Sequence, residues 1–129
     1  METIKGIHHI AIICSDYQTS KKFYTEVLGL KVVKETYRKE RMSYKLDLSL
    51  NGTYVVELFS FPDPPSRLSR PEACGLRHLA FSVGDLKLAV QELAAKGVEV
   101  EPMRTDENTG KKFAFFSDPD GLPIEIYEC

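Results

Sequence analysis

No Cys-x-x-Cys pair occurs in this chain, and its three cysteines, Cys14, Cys74 and Cys129, are odd in number and widely spaced. That suits a reducing compartment better than a disulfide scaffold, so the cytoplasm is the expected location. Cys14 and Cys74 are expected to be inert buried thiols. No apolar run approaches the ~18 residues of a membrane span. Residues 1–6 lack the apolar core of a secretory leader, because strand-like sequence begins almost at once. Charge of one sign is also lacking. A net charge of −2 and a pI near 5.9 give no reason to expect nucleic acid or an anionic membrane as a partner. What remains is the composition of a globular domain, 43% apolar and 28% charged, with 129 residues to build one core.

One pattern occurs twice. Gly6-Ile-His-His9-Ile-Ala-Ile-Ile-Cys-Ser-Asp16 returns 69 residues later as Gly75-Leu-Arg-His78-Leu-Ala-Phe-Ser-Val-Gly-Asp85. Each copy closes with a carboxylate on an apolar strand: Glu57 in Tyr54-Val-Val-Glu-Leu-Phe59, and Glu125 in Leu122-Pro-Ile-Glu-Ile-Tyr127. The intervals from histidine to glutamate are 48 and 47 residues. A single strand histidine is more often structural, and a single strand glutamate more often faces water, as Glu99, Glu101 and Glu128 are expected to do. Four such residues that coincide under duplication are better read as a coordination set.

The repeat organises the chain. Unit one starts with a strand over 7–15, and Asp16 then caps a helix over 17–28 whose Phe23, Tyr24, Val27 and Leu28 form an apolar stripe. Gly29 stops it. Strands follow over 30–36, 43–50 and 54–61, the last two joined by Asn51-Gly52, a strong two-residue hairpin signal. Unit two repeats the order. A strand covers 77–83, and Asp85 caps a helix that turns Leu86, Ala89, Val90, Leu93 and Ala94 inward. Gly97 stops that helix, and strands are expected over 98–102, 112–117 and 122–128. Asp118-Pro-Asp-Gly121 reads as a turn. The proline-rich stretch over 61–73 suits neither a helix nor a central strand.

The expectation is therefore α+β. Two tandem βαβββ modules, about 4–61 and about 75–129 with a linker over about 62–74, would form one domain: a curved, mostly antiparallel eight-stranded cup with helices outside. Strand alternation sends His9, Ala11 and Ile13 to one face of the first strand and Ile10, Ile12 and Cys14 to the other. It separates His78, Ala80 and Ser82 from Leu79, Phe81 and Val83 in the same way. His8 falls at the strand edge on the core parity. Small residues around each histidine leave room for something else. Unpaired glutamates among apolar neighbours are costly to bury, and a shared metal ion held by His9, Glu57, His78 and Glu125 would neutralise both.

These residues carry a resemblance. His9-Ile-Ala, Ser15-Asp16, Phe23-Tyr24, Val27-Leu28-Gly29-Leu30, His78-Leu-Ala, Asp85, Asp118-Pro-Asp-Gly121 and Glu125 together resemble the vicinal oxygen chelate superfamily over nearly the whole chain. That superfamily includes glyoxalase I, fosfomycin-resistance thiol transferases, an epimerase, extradiol dioxygenases and bleomycin-binding proteins. The order His, Glu, His, Glu at the matching positions resembles glyoxalase I in particular. The resemblance implies a lactoylglutathione lyase type of reaction on a small-molecule thiol adduct, methylglyoxal detoxification, and a homodimer. It also implies one divalent ion per site, Ni²⁺, Zn²⁺ or Co²⁺, or else Mn²⁺. Glu125 is the first choice for the base and Glu57 the second. Where glyoxalase I has a glutathione-binding arginine in its first strand, this chain has Ile12-Ile13. Another substrate on the same site, for an epimerase or thiol transferase, or a non-enzymatic binding role are the alternatives. Arg38, Lys39, Arg41 and Arg77 are candidates to meet an anionic substrate group, and Tyr44 and Phe113 to line the cup.

Overall fold

The computed structural model describes residues 1–129, which divide into two compact units, Met1–Pro65 and Ser66–Cys129. Unit one contains β1 (Ile10–Cys14), α1 (Tyr17–Lys22) continued by a π-helical turn (Phe23–Val27), β2 (Lys31–Arg38), a 3₁₀ turn (Lys39–Arg41), β3 (Ser43–Leu50) and β4 (Thr53–Ser60). Unit two contains β5 (Leu79–Val83), α2 (Leu86–Ala95), β6 (Arg104–Thr105), β7 (Lys112–Ser117) and β8 (Pro123–Glu128). The strands form two four-stranded mixed sheets of identical order, β1-β4-β3-β2 and β5-β8-β7-β6. Only the first pair in each is parallel. The α+β class and the βαβββ plan of each module are as expected. None of the helices is long and apolar enough to cross a membrane.

The local signals explain these elements. Asp16 and Asp85 take extended backbone and accept the amides of Thr19 and Leu88 at 2.8 and 2.9 Å, satisfying helix-end donors that would otherwise be unpaired. Gly29 and Gly97 then leave each helical segment at φ 75° and 78°, where a side chain would be strained. The last turn of the first helical segment widens, the Leu28 amide reaching back to the Phe23 carbonyl, and Tyr24 is wholly buried within it. Asn51 and Gly52, both at positive φ, close the β3–β4 hairpin.

Each module buries one sheet face beneath its helix. In unit one that face brings Ile12, Cys14, Leu46, Leu48, Val56 and Leu58 together with Tyr24 and Leu30. In unit two Ala114, Phe116, Ile124 and Ile126 meet Leu86 and Leu93. A buried leucine contributes on the order of 1.5–3 kcal/mol through loss of contact with water, so these faces dominate the stability of each unit.

Several expectations are corrected. The stretch 98–102 makes no ladder; Pro102 has no amide to donate, and only the Glu101 amide reaches the Phe115 carbonyl, at 2.8 Å. The strand forms later and shorter, as β6. Tyr44 stacks on Tyr17, ring centroids 4.3 Å apart, and so lies on the helix side of its sheet. Cys74 is exposed, and Ala94 faces outward. Glu128 is half-buried and accepts the Leu86 amide at 3.0 Å, helping to cap α2.

One ion cluster ties α1 to β2. Glu35 accepts from Lys21 at 2.5 Å and from the Tyr17 hydroxyl. Hydrogen bonding from Lys21, then from Tyr17, holds its carboxyl below the usual range despite partial burial. A carboxylate with a lowered folded pKa stabilises the fold above its unfolded pKa, and that contribution is lost as pH falls through the folded value. Lys21→Met should therefore flatten the acid limb of the urea-midpoint profile and leave the alkaline limb alone. An unchanged acid limb would remove this cluster from the account of stability.

Candidate metal centre

In unit one, β1 and β4 run parallel with Ala11 opposite Glu57, which places His9 and Glu57 on the same face two positions apart. In unit two, Ala80 lies opposite Glu125, so His78 and Glu125 stand in the same relation. The alanine side chains are too short to separate the partners. His9 Nε2 lies 3.4 Å from a Glu57 carboxylate oxygen, and His78 Nε2 lies 3.1 Å from one of Glu125. Burial follows the expected parity, with Ala11 and Ile13 exposed and Ile12 and Cys14 buried. Each unit thus pairs one imidazole nitrogen with one carboxylate oxygen.

These pairs fit a metal ion. Two donors each about 2.1 Å from one ion, at angles between square and tetrahedral, stand roughly 3.0–3.4 Å apart. The separations found fall in that window, and the donor chemistry, nitrogen with carboxylate oxygen, suits a borderline divalent cation. No group of three or more His, Cys, Asp or Glu side chains is assembled to hold a cation alone. Each module presents one nitrogen–oxygen donor pair.

The two halves are not electrostatically alike. The second oxygen of Glu57 accepts from the Tyr54 hydroxyl at 2.5 Å and from Lys45 at 2.9 Å, and both Tyr54 and Lys45 also reach Asp47. Burial pushes the Glu57 carboxyl up, but the bonds from Tyr54 and Lys45 and the charges of Lys45 and His9 outweigh it and hold the carboxyl low. Burial first, then the bond to Glu57, raises the Tyr54 phenol, so it stays a donor. Lys45 is raised by its bond to Asp47 and then by that to Glu57. Glu125 has no comparable partners. Its one ion-pair or hydrogen-bond partner among the side chains is His78, whose ring stands perpendicular to that of Phe115 at 5.2 Å.

Outer contacts orient each imidazole. His8 Nδ1 meets His9 Nδ1 at 2.8 Å, and both rings rest against Tyr54. Arg77 Nη1 lies 3.2 Å from His78 Nδ1. A guanidinium only donates, so this contact puts the ring proton on Nε2, toward Glu125. Ligation through Nε2 needs the opposite tautomer and so requires Arg77 to turn away.

Sequence reading singled out His9, Glu57, His78 and Glu125, which the fold brings together in two pairs, but not His8 as a neighbour of His9, nor Lys45, Asp47 and Tyr54 around Glu57. Phe113 does share the Glu125 face, beside Phe115 and Tyr127. Arg38 lies over Phe59 and Phe61, and Arg41 over Phe61.

Comparison with known proteins agrees with this architecture. The chain is 70% identical over 125 residues to the Bacillus subtilis (strain 168) protein YwkD, covering 97% of this chain and 98% of that one. It is 59% identical over 125 residues to Escherichia coli (strain K12) YaeR, covering 97% of each. The crystal structure of a glyoxalase family protein from Enterococcus faecalis superposes with a TM-score of 0.91 at 48% identity, covering 99% of this chain and 100% of that chain. Distant relatives include lactoylglutathione lyases, putative ring-cleaving dioxygenases and an epimerase. A family model matches residues 6–126, a span that takes in His9, Glu57, His78, Glu125 and every strand except the last two residues of β8, and the chain therefore belongs to the Glyoxalase/Bleomycin resistance protein/Dioxygenase superfamily.

Proposed function

We propose that this protein is a metal-dependent lyase of the glyoxalase I type, converting the hemithioacetal of a 2-oxoaldehyde and a thiol into a 2-hydroxyacyl thioester. One observation carries the reading: a histidine nitrogen and a glutamate oxygen lie 3.4 and 3.1 Å apart at the same register point of two repeated modules. In this reading a His9–Glu57 half and a His78–Glu125 half complete one divalent site, within a chain or between the chains of a homodimer. When bound, the ion stabilises negative charge on adjacent substrate oxygens and so acidifies the neighbouring C–H.

The chain's own residues do the rest. A carboxylate is a weak base toward carbon and must be positioned against an acidified proton. Glu125 takes the proton from the carbon bearing sulfur and returns it to the adjacent carbonyl carbon, while the hydroxyl proton passes from the first oxygen to the second, so the isomerisation gains and loses no atom. Glu57, held ionised by Tyr54 and Lys45, keeps its charge throughout. Phe113 and Phe115 stand on the same sheet face, beside His78 and Glu125.

A second reading shares the proton transfer but not the thiol. Ile12 and Ile13 stand where glutathione would need an arginine, which favours an epimerase-type substrate on the same site. Metal analysis of the purified protein, with turnover of methylglyoxal plus several thiols, separates these readings. Bound divalent ion and thioester formation are expected. Metal with deuterium exchange into an epimerisable acid but no thioester would select the epimerase. A metal-free, chelator-indifferent protein without turnover would leave only a binding role.

A further inference from the structure

Beside His78 lies a cavity of about 230 Å³ whose walls include three arginines, Arg70, Arg77 and Arg104. Two glutamates, Glu72 and Glu101, also line it, so its charged groups carry a surplus of one positive charge. That surplus sits within a unit of eleven acidic and eight basic side chains. Neither glutamate holds its arginine closely: Glu72 is 3.8 Å from Arg77 and Glu101 is 3.6 Å from Arg104, all four more than half exposed. Such pairs are weak and leave most guanidinium donors available. Arg70 has no carboxylate partner, and it too is exposed.

The cavity is built rather than incidental. Arg104 lies over Phe113 and Phe115, its guanidinium carbon 5.0 and 5.3 Å from the ring centroids, which fixes its plane while its N–H edges stay free. Arg67 donates to the Leu76 and Arg77 carbonyls at 2.6 and 2.9 Å and to Ser69 at 2.9 Å. The Ser69 hydroxyl in turn donates to the Gly121 carbonyl at 2.8 Å. These bonds pin the segment that carries Arg70 and Arg77 against the β7–β8 turn. Two cavity residues also touch the candidate centre, Arg77 through His78 Nδ1 and Phe115 through its perpendicular contact with the His78 ring.

We infer that this cavity binds a multiply charged oxyanion, a phosphate or a dicarboxylate group, carried by the substrate on the side away from its reacting carbon. Three guanidinium forks around one space match such a group, because each can offer paired N–H donors to its oxygens. The assignment to substrate rests on the function proposed above, whereas oxyanion binding itself does not.

Titration of the purified protein with inorganic phosphate and, separately, malonate, followed by calorimetry, tests the inference without any turnover. Saturable binding of at least one anion is expected, the tighter of the two identifying the group. Arg70→Gln with Arg104→Gln should weaken it at least tenfold, while Lys111→Gln, which removes one charge elsewhere on unit two, should leave it within twofold. His9→Gln should also leave it unchanged, which separates this site from the metal reading. No saturable binding of either anion, or equal weakening by Lys111→Gln, would overturn the inference.

Discussion

Glu125→Gln is expected to lower turnover by about 10²–10⁴-fold while the protein keeps its fold and its bound ion. The amide retains an oxygen at the same place but cannot accept a proton from carbon. The size of the effect follows from how little else competes for that role. Glu57 is committed to Tyr54 and Lys45 through its second oxygen, and its carboxyl is held low. Glu125 pairs only with His78, with no second donor on its other oxygen. Glu57→Gln should therefore act mainly on ion affinity, and Glu125→Gln mainly on kcat. Ion content and single-turnover rates measured on both variants make the comparison, and a fully active Glu125→Gln protein would assign the base elsewhere.

His9→Gln or His78→Gln alone should each abolish tight binding of the divalent ion, weakening it on the order of 100-fold or more, since even outer-shell partners of metal ligands cost 10–100-fold. The two losses should be similar although the residues belong to different units, because each removes one nitrogen from the same donor set. Thermal stability offers an independent measure. An ion at 100 times its Kd stabilises the state that binds it by about 2.7 kcal/mol, and this response should vanish in both variants. Were one variant to keep the full ion content and thermal response, the two halves would not be serving one ion.

Much of this arrangement was legible along the chain because it depends on local chemistry. The caps Asp16 and Asp85, the stops Gly29 and Gly97 and the Asn51-Gly52 turn each act within a few residues, and each stands where it was expected. The faces of β1 and β5 were legible for the same reason, since neither strand contains an irregularity and alternation holds along each. Where a backbone donor was missing, reading by apolar pattern failed: residues 98–102 look like a strand, yet Pro102 cannot join a ladder.

The repeat, the two histidines and the two glutamates could be named from residue order alone, because duplication leaves matching positions at matching intervals. The face on which Glu57 lies could not. Counting back from the Asn51-Gly52 turn pairs Glu57 with Leu46, a core position, but the ladder shifts between Leu48 and Ser49 and pairs it with Asp47 instead. That bulge turns Glu57 toward His9 and gathers Lys45, Asp47 and Tyr54 around it. Long-range packing likewise brings Arg70, Arg77 and Arg104 to one cavity from a loop, a strand approach and an edge strand. A period of two is a property of neighbouring residues, whereas an extra residue in one strand is decided by what the facing strand and the core beneath will accept.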